Sequence, residues 1–166
     1  MSDVLAQTGI PTAEDIAQVT PSEERMAMGP VAIAECFQNI PCDPCYHSCI
    51  RQAIKQFNDL NDRPQIDHAQ CNGCGMCLLR CPGLAIFVID KSFSDTEGLV
   101  KLPYEYLPLP LEGEEVAAVN RAGHRVGKAR VVKVQQGAKL DGTSVVWLAV
   151  PKELAMEVRH FLREEG

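Results

Sequence analysis

Large rings are scarce in this chain: five Phe, three Tyr and one Trp in 166 residues. That excludes a core built mainly from aromatic packing. No apolar run approaches the roughly 18 residues of a membrane-spanning helix. The first residues, MSDVLAQTGIPTAEDIAQV, have neither a basic start nor a long apolar stretch, so they do not read as a signal peptide. Positive charge is in deficit, with 16 Lys+Arg against 22 Asp+Glu and a net charge of −6. That argues against a general nucleic-acid binder. There is no Ser/His/Asp arrangement for nucleophilic catalysis. The length suits one domain, or one domain with a small appendage. A soluble, cytoplasmic protein is expected.

Cysteine is what the chain does have. Cys71, Cys74, Cys77 and Cys81 stand in CNGCGMCLLRCP, the C-x2-C-x2-C-x3-C-P run of bacterial iron–sulfur proteins. Three thiolates two residues apart point into one tight loop and reach three corners of a cuboidal cluster. Gly73 and Gly75, between them, supply the positive-φ backbone such a loop needs and leave N–H groups free to approach cluster sulfurs. Pro82 turns the chain away after the fourth thiol.

Upstream, Cys42, Cys45 and Cys49 repeat the C-x2-C-x3-C half of that run, and Cys36 precedes them. All eight cysteines are then used, four to a group. Disulfides require an oxidising compartment. A structural zinc site prefers two well-separated C-x2-C pairs. The pattern predicts two [4Fe–4S] clusters. His47 and His68 lie near the thiols, but eight cysteines already fill two clusters. Metal binding is expected to supply part of the folding free energy of residues 30–90.

The charge is uneven. Residues 1–100 hold 6 Lys+Arg and 13 Asp+Glu, whereas residues 101–166 hold 10 and 9. A boundary near residue 100 follows. Residues 1–29 read as a leader, with a short helix at Thr12–Val19. A second is expected from a capping box at Thr20-Pro21-Ser22-Glu23, ended by Gly29-Pro30. Met26 and Met28 read as packing residues. Val31–Ala34 reads as a strand feeding Cys36. Phe37 and Ile40 are expected to pack against a cluster or a partner. After Cys49, Ile50, Ile54 and Phe57 recur at helical spacing and predict an amphipathic helix. Residues 65–67 and 85–90 read as strands on either side of the second cysteine run.

Residues 91–113 read as a proline-rich linker, because Pro103, Pro108 and Pro110 oppose helix and central strand. Its Tyr104, Tyr106, Leu107, Leu109 and Leu111 are too apolar for a free tether, so a strap lying on another surface is expected. Residues 114–150 contain three strand patterns, EEVAAVN, GKARVVKVQQ and TSVVWLAV. The last, with Trp147, is apolar on both faces and is expected to be central. The end, PKELAMEVRHFLREEG, reads as a helix burying Leu154, Val158, Phe161 and Leu162. Gly123-x3-Gly127-Lys128 lacks the phosphate-loop pattern and reads as a hairpin turn. The basic stretch Arg121, Arg125, Lys128, Arg130, Lys133 and Lys139 suits an anionic cofactor, an acidic partner or a solvated strand face.

PSEER, GPVAIAEC and IPCDPC, together with CNGCGMCLLRCPGLAIF, GHRVGKARVVKV and AVPKELAMEVRHF, resemble the ferredoxin-like subunits of FAD-dependent amino-acid dehydrogenase complexes. These are the multi-subunit, dye-linked proline, hydroxyproline and opine dehydrogenases. The similarity spans most of residues 20–163. The second cysteine run would match any bacterial ferredoxin, whereas the first, with five residues between Cys36 and Cys42, is the more family-specific. The resemblance implies an α+β fold, in which a two-cluster bacterial-ferredoxin-like domain (30–90) precedes a small β-rich domain with a C-terminal helix (114–166). It implies a non-catalytic electron-transfer subunit in a hetero-oligomer, with FAD or FMN in flavoprotein partners and a further electron acceptor. A free-standing two-cluster ferredoxin is the alternative. By the crossover rule of two-cluster ferredoxins, Cys36, Cys42, Cys45 and Cys81 are expected to hold one cluster. Cys71, Cys74, Cys77 and Cys49 would hold the other.

Overall fold

The computed structural model describes residues 2–136 and 143–163. Three short helices come first: α1 (Asp3–Thr8), α2 (Ala13–Ala17) and α3 (Glu23–Ala27). Then follow β1 (Val31–Ala34), α4 (Pro44–Ser48), α5 (Met76–Arg80), β2 (Ile86–Asp90) and β3 (Glu97–Tyr104). The remainder is β4 (Glu115–Val119), β5 (Arg125–Gln135), β6 (Ser144–Pro151), a 3-10 turn at Lys152–Leu154 and β7 (His160–Leu162). The fold is α+β. Its strands form one seven-stranded sheet in the order β1-β2-β3-β6-β5-β4-β7, with every pair antiparallel. Among the described residues, no helix is long and apolar enough to cross a membrane.

Alternation along the strands divides the sheet into two faces. On one, Ile33, Val100, Leu102, Val131, Val146 and Leu148 pack with Met26, Val158 and Phe161. Each such buried aliphatic side chain contributes roughly 1.5–3 kcal/mol relative to exposure. On the other face, Ala32, Ala34, Ile86, Val88 and Val145 pack with Cys45, Cys77, Leu78 and Ile54. The V-A-I-A sequence of β1 serves both: branched residues face the main core and two alanines leave room under the cysteine segments. β6 is the middle strand of the seven, as its two-faced apolarity predicts.

The leader is fastened to this sheet. Met26 is fully buried in the main core, its carbonyl accepts from the Lys91 N–H at 3.2 Å, and Lys91 pairs with Glu23 at 2.8 Å. Thr12 caps α2 in a capping box with Asp15. The Ser2 hydroxyl donates to Asp15 at 2.5 Å. That bond, with those from Thr12, lowers the Asp15 pKa to about 2. The third helix begins two residues later than expected: Ser22, not Thr20, is its N-cap. The Thr20 hydroxyl instead donates to the Ile16 carbonyl at 2.8 Å. Met28 is not a packing residue, being 82% exposed.

Three larger expectations are corrected. No helix follows Cys49. Its backbone is extended, Gln52 lies at φ 53°, and the Ala53 N–H donates to Cys49 Sγ at 3.2 Å. Ile50 is 74% exposed, while Ile54 pairs with Ile66 in a single bridge, which is all that remains of the strand expected at 65–67. Second, the proline-rich stretch 91–113 is not a linker throughout, because β3 runs through it between β2 and β6. Proline is tolerated there because β2 pairing ends at Lys101, two residues before Pro103, where only β6 remains alongside. Leu99, Leu102 and Tyr104 are therefore core residues, and the exposed apolar loop shrinks to Tyr106, Leu107 and Leu111. Third, residues 152–162 form the 3-10 turn and β7 rather than a helix, and the last three residues of the expected helix, 164–166, lie outside the described residues. Pro151 still pairs with Glu97, and residues 160–162 add to the open edge of β4. Pairing that edge outweighs helix propensity. Val158 and Phe161 are buried as expected, whereas Leu162 is exposed. Among the described residues, the one sheet draws strands from all three segments, 30–90, 91–113 and 114–163.

Candidate metal centre

The two cysteine runs are built alike. An offset of 32 residues carries Cys42 onto Cys74, Cys45 onto Cys77 and Cys49 onto Cys81. Cys45 and Cys77 are each the second residue of a single-turn helix, and Cys49 and Cys81 are the extended C-caps of those helices. Three residues on, Gln52 and Leu84 both take the left-handed conformation, at φ 53° and 52°. The next N–H then turns back to the thiol: Ala53 to Cys49 Sγ at 3.2 Å and Ala85 to Cys81 Sγ at 3.4 Å. The pairing repeats too. Ala34↔Ile86 joins β1 and β2, and its image under the same offset is the Ile54↔Ile66 bridge. Cys36 alone breaks the repeat, standing three residues nearer its strand than Cys71 does.

The second loop is held from below. Arg25 donates to the carbonyls of His68 (2.6 Å), Gly29 (3.0 Å), Pro30 (3.0 Å) and Cys71 (2.5 Å). Cys71 Sγ accepts from the N–H groups of Ala32 at 3.3 Å and Gly73 at 3.5 Å. Gly73 and Gly75 lie at φ 65° and 84°, as the tight loop demands. A Cβ on Gly73 would also meet Pro30 at 2.5 Å.

Electrostatics sort the thiols into two sets. Burial pushes the Cys45 thiol up to about 11, and negative charge on Cys81, Cys42 and Cys36 adds to the effect. Cys36 and Cys42 are raised by burial and by Cys81. In the other set, burial pushes Cys77 up to about 12, with Cys71, Cys74 and Cys49 its nearest thiol neighbours in effect. A cavity is lined by those four, Cys49, Cys71, Cys74 and Cys77, with Ala32, Ala53, Ile54 and Ile66. Each set draws three thiols from one run and one from the other. Cys45 and Cys77 also feel each other, so the sets adjoin. Four thiols this close cannot ionise together without a compensating positive charge. Iron held by these thiols would supply it, and they would give up their protons on binding. Among the described residues no group of three or more His, Cys, Asp or Glu closes around a single ion.

His47 donates to or accepts from Asp43 at 3.0 Å and is exposed. His68 lines a cavity with Cys36, Lys55 and Arg63. Phe37 is buried beside Cys36, while Ile40 is 42% exposed. The basic stretch disperses. Arg121 pairs with Glu35, Arg130 with Glu97, and Lys133 lies near the Trp147 ring. Lys139 lies outside the described residues. The hairpin expected at 123–127 joins β4 to β5, with Gly123 at φ 79°.

Two groups were not legible as functional. Glu35, next to Cys36, takes Arg121 at 2.6 Å and Arg159 at 2.7 Å. Burial favours its neutral form, but these hydrogen bonds and charges more than offset that and hold its pKa below the usual range. Lys101 donates to the Gly73 carbonyl at 3.3 Å. Its only sequence signal is a lone cation within the apolar run G-L-V-K-L-P-Y.

A family model of the 4Fe-4S binding domain matches residues 64–87, which include Cys71, Cys74, Cys77 and Cys81 but not the first run. No curated protein and no solved structure matches the chain. The match supports reading the Cys71–Cys81 run as an iron–sulfur, ferredoxin-like segment.

Proposed function

We propose that this iron–sulfur protein holds two [4Fe–4S] clusters and relays single electrons from a flavin in a partner dehydrogenase to a further acceptor. Cys36, Cys42, Cys45 and Cys81 hold one cluster, and Cys71, Cys74, Cys77 and Cys49 the other. The observation that carries this reading is the sorting of eight thiols into two adjoining sets of four, each crossing between the runs. Bound clusters supply one-electron storage with little change in ligand geometry. The protein's part is to hold eight thiols in place, direct backbone N–H groups at the sulfurs of Cys49, Cys71 and Cys81, and seal one side with the sheet. Arg25 ties the leader to the Cys71 loop, so the leader is part of the site's support.

The partner is proposed on two grounds. One is the resemblance to subunits of FAD-dependent amino-acid and imino-acid dehydrogenases. The other is the exposed loop after β3, where Tyr106, Leu107 and Leu111 are 64%, 85% and 71% exposed. Apolar surface of that kind marks interaction sites. Leu109 and the strand before it belong to the core, so a deletion there would damage the fold. The test is Leu107→Glu with Leu111→Glu. The native protein is expected to copurify with a flavoprotein, and the double variant to lose it while keeping its iron. A flavin-free monomer unchanged by these substitutions would favour a free-standing ferredoxin instead.

A further inference from the structure

Lys101 occupies an unusual place for a lysine. It stands mid-way along central strand β3, between the buried Val100 and Leu102, on the sheet face that carries the cysteine segments. Its ammonium reaches the Gly73 carbonyl, inside the loop between Cys71 and Cys74. Beneath it lies the ring of Trp147, its direct partner across the β3–β6 ladder, 4.1 Å from ammonium to ring centroid. The Trp147 N–H donates to Gln135 at 2.8 Å, which fixes the ring, and a cation over an indole face is attracted to it. Lys133 approaches the same ring at 5.2 Å. Asp90, the carboxylate that feels Lys101, has one oxygen taken by the Ser92 N–H and hydroxyl at 2.9 and 2.6 Å. Burial draws the Lys101 pKa below its usual value, and the charges of Asp90 and Cys74 oppose that. A positive charge is thus held against one cysteine loop, partly shielded from water.

We propose that Lys101 is a positioning residue that raises the reduction potential of the cluster at the Cys71–Cys77 loop through its fixed positive charge. This rests on the reading that the loop holds a [4Fe–4S] cluster. The step is one-electron: an electron arrives from the donor, which is oxidised by the same amount, and no bond is made or broken. A positive charge close by, in a partly buried site, favours the more negative reduced state. Cluster potentials respond to such charge, to hydrogen bonds and to exposure. The charges that act on the thiol set around Cys36 are different ones, Arg63 on Cys36 and Asp43 on Cys42.

The test is a spectroscopic redox titration of the full-length protein as wild type, Lys101→Arg, Lys101→Gln and Lys101→Met. The signal of the Cys71 loop is identified by its change in Cys74→Ser. Glutamine keeps a donor for Gly73 without the charge, and arginine keeps the charge. The potential of that one signal is expected to move to more negative values in Lys101→Gln and Lys101→Met. It is expected to stay near the wild-type value in Lys101→Arg, with the other signal unmoved in all three. A wild-type potential in Lys101→Gln would overturn the proposal, as would equal movement of both signals. Iron content is read alongside. A wild type without iron would overturn the underlying reading instead.

Discussion

The Arg159 guanidinium donates to the Glu35 carboxylate at 2.7 Å, both side chains almost wholly buried. This joins the residue before Cys36 to the approach to β7, 124 positions away in sequence. Arg121 holds the same carboxylate from the β4–β5 hairpin. Glu35→Gln would leave two guanidiniums facing each other without a counter-charge. Removing one partner of a buried pair costs about 3–5 kcal/mol. A loss of that order is expected in urea denaturation.

Glu35 also predicts a pH dependence. Its folded pKa lies below the unfolded value, so its contribution is complete above the ordinary glutamate pKa of about 4.3. It is lost as the pH falls through the lowered folded value. The stability difference between wild type and Glu35→Gln is therefore expected to be flat near neutrality and to shrink in acid. A difference that grew in acid would contradict the pairing.

Gly73 and Gly75 separate conformational strain from collision. Both have positive φ, so either alanine costs roughly 1–2 kcal/mol. Only at Gly73 does the added Cβ meet Pro30, whereas the space around Gly75 is open. Gly73→Ala is expected to purify with less iron and melt lower than Gly75→Ala. Equal losses would mean that the Pro30 contact yields freely.

How far the sequence discloses this molecule follows from where local signals and tertiary demands agree. The V-A-I-A strand, the strand patterns after residue 114 and the two cysteine runs are legible because spacing alone fixes them. The segment after Cys49 misleads: Ile50, Ile54 and Phe57 have helical spacing, yet the Cys49 thiol and the left-handed Gln52 redirect the backbone. The 32-residue offset carries the missed information, since it aligns Ile54 with the first residue of β2. Pro103 hides β3 because proline in a central strand depends on where the neighbouring strand ends, which no local pattern records. The C-terminal residues have a helical apolar pattern, but the open edge of β4 decides their conformation. Arg25, Glu35 and Lys101 each act on partners that lie between 28 and 124 residues away in the chain, and only folding brings those together.

Cys81→Ser tests the crossing of thiol sets. Cys81 lies with Cys36, Cys42 and Cys45 in electrostatic contact, though it belongs to the second run. The variant is expected to lose or alter the signal that Cys36→Ser also alters, and to retain the signal sensitive to Cys74→Ser. Loss confined to the Cys74-sensitive signal would mean sequential, uncrossed ligation.

The central claim is that one chain carries two four-iron clusters. The direct measurement is iron, sulfide and zinc per chain in anaerobically purified protein, with Mössbauer spectra to identify the cluster type. The account predicts about eight irons and about eight sulfides per chain, all in [4Fe–4S] form. About four irons, or zinc in place of iron, would contradict it.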